Sequence, residues 1–64
     1  MRKVKAWLVT EVKDRVGVFA ERPVTAFQSR EMAERCMNVR AIRAMGAEDP
    51  TWHRIDQIEV VLDD

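Results

Sequence analysis

The chain has 64 residues, eleven of them basic and eleven acidic, with one cysteine and one histidine. A single cysteine excludes a disulfide within the monomer, and one Cys with one His falls short of the ligand set of a structural zinc site. Balanced charge excludes a global electrostatic pull toward nucleic acid or membrane, though not a local basic patch.

A chain this short buries only about 60% of its unfolded surface, so one domain with one small core is expected, and it needs help to be stable. With disulfide and metal set aside, association with another chain is the help that is left. No cofactor signature is present. The start, Met1-Arg2-Lys3-Val4-Lys5, is basic, but the apolar run Ala6–Val9 stops at Thr10-Glu11. That is short of the roughly 7–15 apolar residues of an export signal, and no run approaches the ~20 needed to span a bilayer. A lone thiol without an export signal points to the cytoplasm.

In chain order, Val4–Val12 reads as a first strand, Lys13-Asp14-Arg15 as a loop and Val16–Ala20 as the returning strand. The first strand carries apolar side chains of both parities: Val4, Ala6, Leu8 and Val12 on one side, Trp7 and Val9 on the other. Successive strand side chains alternate between faces, so one helix shields only one set. Gly17 reads as a bulge or close approach early in the second strand. Pro23 cannot donate to a ladder, so the strand ends there or resumes beyond it at a sheet edge, with Val24 and Ala26 keeping the parity of Val16, Val18 and Ala20.

A helix follows over about Arg30 to Met45, with Ser29 as N-cap, Glu31 and Glu34 near its positive end, and Arg40 and Arg43 near its negative end. Glu31–Arg35 is an i,i+4 pair. Met32, Ala33, Cys36, Met37 and Val39 form an apolar stripe into which Arg43 intrudes farther along. Gly46 reads as a left-handed C′ residue and Asp49-Pro50 as a turn. The last strand runs from about Arg54 to Leu62. Ile55 and Val61 fall on the parity opposite to Ile58, Val60 and Leu62, unless a bulge near Asp56 brings Ile55 across.

The expected architecture is α+β, ββαβ. It is a three-stranded antiparallel sheet in the order 2-1-3, with the first strand central and one helix over the face bearing Leu8, Val18 and Val60. The segments Trp7-Leu8-Val9-Thr10-Glu11, Val16-Gly17-Val18-Phe19-Ala20, Ser29-Arg30-Glu31 with Ala33-Glu34, and Ile58-Glu59-Val60 ending in Leu62-Asp63 resemble a group of small uncharacterised ββαβ proteins of phages and bacterial genomes. In that group the helix follows the G-V-F strand almost directly, whereas Glu21–Gln28 intervenes here. The resemblance implies the fold and a phage origin, and it implies no activity.

The contact candidates are Trp7, Val9 and Phe19, as the side the helix leaves bare; the plainer reading folds Glu21–Gln28 over them. Trp52 joins them as a recognition corner, beside the reading in which it caps the open end of the core and His53 is solvated. Cys36, mid-stripe, reads as a small hydrophobe and not a nucleophile. His53 and Asp56 alone do not supply a reaction. Arg30, Arg35, Arg40, Arg43 and Arg54 read as a solvated face, with Arg40 and Arg43 the nucleic-acid alternative. Glu48-Asp49, Glu59 and Asp63-Asp64 read as solubilising ends before phosphate mimics. The functional expectation is a non-enzymatic protein-interaction module, phage-encoded against a host or defence protein, and a homodimer. A small nucleic-acid-associated regulator is the alternative.

Overall fold

The computed structural model describes residues 1–63: β1 (Arg2–Arg15), β2 (Val18–Phe27), α1 (Arg30–Ala44) and β3 (Thr51–Leu62). The strands form one antiparallel sheet in the order β2-β1-β3, with α1 packed on it. The strand with burial-ready side chains on both faces is indeed central, and the layout is the ββαβ arrangement the sequence predicts.

The hairpin turns later than expected. β1 continues through Lys13-Asp14-Arg15, and the turn is the pair Val16-Gly17, with Arg15 opposite Val18. Both turn residues have positive φ, 55° and 84°, the handedness that suits a two-residue hairpin. The Gly17 N–H donates to Asp14 Oδ1 at 2.9 Å. Gly17 is therefore a turn residue, not a strand position. Val16 is β-branched in a region that favours Gly, Asn and Asp, and it is fully exposed.

β2 runs through Pro23 as an edge strand, where a missing donor costs least. Val9 pairs with Thr25 but Thr10 pairs with Pro23, so Val24 is the extra residue of a bulge. The bulge breaks the expected parity. Val18, Ala20 and Arg22 share a face with Thr25 and Phe27, and no longer with Val24 and Ala26. β3 pairs with β1 without a register shift, from Arg2↔Leu62 to Lys13↔Thr51. Ile55 and Val61 thus lie on the Trp7 side, and no bulge forms at Asp56.

The helix roofs the opposite side from the one expected. Arg40 bonds to Glu11 and His53, and Met37, His53 and Ile55 line one cavity, so α1 lies over Trp7, Val9, Glu11 and Lys13. Leu8 and Val60 face away, and Val18, though on the helix side, is 67% exposed. β2 and β3 run parallel to each other across β1, so β2–α1–β3 is a crossover connection. Such connections have a strongly preferred hand, and the helix is not free to follow hydrophobicity alone.

Ser29 caps α1 as expected, its Oγ accepting from the Met32 N–H at 3.5 Å. The inward stripe is Ala33, Met37, Arg40 and Ala44, with Cys36 half-buried. Met32 and Val39 are about half exposed, at 48% and 49%, and Arg40, not Arg43, interrupts the stripe. Gly46 does not take the left-handed conformation. The helix instead winds down through tight i→i−3 bonds, Met45 N–H to Ile42 O and Ala47 N–H to Ala44 O. Among the described residues the buried apolar set is Ala6, Val9, Val12 and Ala33.

Candidate functional site

One of the four contact candidates belongs to the core and a second lies half-buried beside it. Val9 has no exposed surface and Trp7 is half-buried on the helix-covered side, next to Phe27 in the register. α1 packs on this side, so Val9 forms no outward contact surface, and Trp7 lies on the helix side of the sheet and not on the side left bare. Phe19 and Trp52 lie on the other side, 63% and 44% exposed, with ring centroids 5.7 Å apart in an edge-to-face pair. They come from the two edge strands, opposite Asp14 and Val12. The rings meet across β1, and Val12 between those strands is 4% exposed.

The open face has three zones. At the hairpin end stand Phe19 and Trp52. In the middle, Arg54 reaches over Thr10 to Glu21 and along its own strand to Asp56, at 2.8 Å each. These two carboxylates hold the guanidinium more firmly protonated than usual, through hydrogen bonds first and charge second. At the far end is an aliphatic zone: Val4, Leu8, Ile58, Val60 and Leu62, all half-buried around Ala6.

The helix side holds a polar network that sequence reasoning missed. Glu11 Oε2 accepts from Arg40 Nη2 at 2.9 Å, while Oε1 lies 3.4 Å from Arg22 and 3.9 Å from Lys13. The Arg40 bond, with help from the surrounding positive charge, holds the Glu11 carboxyl below its ordinary range against the opposing effect of burial. Arg40 Nε also donates to His53 Nε2 at 3.2 Å. Arginine only donates, so Nε2 is the bare nitrogen and Nδ1 carries the proton. Burial first, and the Arg40 charge second, push the His53 pKa down, with Glu11 opposing. The imidazole is 1% exposed, not solvated, and its Nδ1 is buried without a partner. The readable signals were a glutamate on the Trp7–Val9 parity and an arginine seven residues after Ala33, in the inward stripe.

Other candidates are dispersed. His53 and Asp56 point to opposite faces of β3, so they do not form a dyad. Arg30 pairs with Glu34 and Arg35 with Glu31. Arg40 is engaged internally, whereas Arg43 has no ion pair among the described residues. Glu59 pairs with Lys3 and Asp49 with Arg15; Asp64 lies outside the described residues. Among the described residues no three His, Cys, Asp or Glu side chains gather to hold a metal, and no helix is long and apolar enough to cross a membrane. Comparisons with protein-family models, curated proteins and solved structures find no match to the chain.

Proposed function

We propose that this chain is a non-enzymatic protein-interaction module that pairs with a second copy of itself through the open sheet face. In keeping with the resemblance to small phage and bacterial proteins, its setting is the bacterial cytoplasm and its target a host or defence protein. The observation that carries the reading is a contiguous apolar zone on the sheet face opposite α1, in a molecule that leaves more surface in water than its mass requires. The chain exposes 5054 Å² at 7.5 kDa, against about 4,250 Å² for a folded monomer of that mass. The excess, roughly 800 Å², equals one partner's share of a standard interface. The radius of gyration agrees: 13.6 Å, against about 10.7 Å for a compact chain of this length.

A second copy suits the face because both sides then offer the same aliphatic zone. Val4, Leu8, Ile58, Val60 and Leu62 form the apolar centre of a two-fold contact, and the Glu21–Arg54–Asp56 cluster falls at its rim, where paired charges stay hydrated. The nucleic-acid alternative rests on Arg43 alone and is set behind this reading.

Light scattering over a micromolar to sub-millimolar dilution series tests it. Wild type and Val61→Glu, which places the charge on the helix side, are expected to be dimeric. Val60→Glu, one residue away on the open face, is expected to be monomeric with an unchanged circular-dichroism spectrum. A monomeric wild type throughout the series, or a Val60→Glu protein that dimerises as wild type does, overturns the proposal.

A further inference from the structure

We infer that the trough between α1 and β2 is a docking groove for an extended acidic segment of a partner protein. α1 lies closer to β3 and β1 than to β2, which leaves the β2 flank of the helix layer unfilled. A cavity of about 350 Å³ opens on that flank at Phe27, and a smaller one of about 200 Å³ lies under the end of α1 against β1 and Thr51 of β3; they share Arg40 and Arg43 in their walls, so they adjoin along the helix. The larger has an apolar lining of Phe27, Met32, Cys36 and Val39. The smaller continues toward Lys13 and Thr51.

Charge selects the occupant. Lys13, Arg35, Arg40 and Arg43 line the two cavities against a single acid, Glu11, in a chain whose basic and acidic residues are equal in number. Glu11 is itself 11% exposed and bonded to Arg40, so its charge is spent on Arg40 and is largely withdrawn from what enters. Arg43 stands where the two cavities meet and has no ion pair among the described residues. Arg40 and Lys13 face Glu11, and Arg35 pairs with Glu31 outside the walls, so among the described residues Arg43 is the groove cation without a matching acid; it fits a carboxylate on the incoming chain, and the neighbouring apolar wall fits a side chain beside it.

Length follows from the helix. From Met32 to Ala44 α1 rises about 20 Å, which an extended chain covers in about six residues. Main-chain pairing along β2 is curtailed by Pro23 and the bulge at Val24, so side chains carry the recognition. A nucleic-acid strand fits less well. Phe27 is the one aromatic residue in the walls, giving no run of stacking rings. The groove lies on the layer opposite the proposed dimer face, so the two proposals stand or fall separately.

Fluorescence polarisation on the full chain tests it, with a labelled hexapeptide of alternating aspartate and leucine. A lysine–leucine hexapeptide and a short thymidine oligonucleotide serve as parallel probes. The acidic peptide is expected to bind at low salt and to weaken toward physiological salt. Arg43→Glu is expected to lower its affinity by about tenfold or more, while Arg30→Glu, the same charge change away from the groove, leaves it within about twofold. Val60→Glu is expected to bind like wild type whatever its oligomeric state. Absence of acidic-peptide binding, equal losses in the Arg43 and Arg30 variants, or tighter binding of the oligonucleotide or the basic peptide overturns the inference.

Discussion

The two faces of one sheet are finished in opposite ways. Beneath α1, Val9 has no exposed surface and the His53 ring is 1% exposed, with Glu11 held by Arg40. On the reverse, the larger aliphatic set is only half-buried and Arg54 carries its carboxylate partners at the surface. The helix has thus taken the more polar side. A crossover constrained in hand chooses the roofed face, and polar groups caught under the roof must then be bonded to one another. The apolar side is what the connection leaves over.

Paired truncations are the strongest way to break this contrast. Val9→Ala should cost about 2–3 kcal/mol in urea denaturation, from lost burial and an unfilled cavity. Leu8→Ala, the neighbouring position on the open face, loses more carbon atoms yet should cost less, about 1.5 kcal/mol, when both are measured in a Val60→Glu background. Equal losses would mean that the faces do not differ. Next in size, Arg40→Met removes the bond between helix and both covered strands. Glu11 keeps only Arg22 and Lys13, at 3.4 and 3.9 Å. Breaking a buried pair costs about 3–5 kcal/mol; Arg40 is 28% exposed, so a loss of about 2 kcal/mol is expected after allowance for solvent.

The finest test is the pH dependence of the covered side. His53 titrates lower in the folded chain than its ordinary 6.5, so the unfolded chain takes the proton more readily. Its contribution is fully present above 6.5 and is lost as pH falls through the depressed folded value. Glu11, held below 4.5, acts in the same direction over a lower range. Stability should therefore decline on acidification in two stages. A His53→Leu variant should lack the first, and the imidazole proton resonance should report a titration below 6.5. An upward-shifted histidine would show that Glu11, not burial, governs the ring.

The sequence made the topology legible and left the facing of side chains hidden. Two-sided hydrophobicity in β1 placed it centrally, Ser29 marked the helix start, and Pro23 marked an edge. The hairpin was obscured because Val16 occupies a left-handed position where Asn or Gly announces a turn. The displaced turn and the bulge at Val24 then changed the parity of β2. Neither leaves a composition signal, so Trp7 and Phe19 seemed to share a face when they do not. His53 looked solvated because its cover comes from a helix residue, Arg40, whose place in the inward stripe appears only once α1 has docked.

The two flanks of the sheet differ as well, and this limits how such a molecule can grow. β2 is interrupted by Pro23 and a bulge, while β3 offers twelve residues with no proline and no register shift. A filament built by adding strands needs both margins receptive, so that each newcomer presents a fresh one. Here one margin is blunt, and any strand-wise joining along β3 closes after a single step, as a pair with two blunt ends.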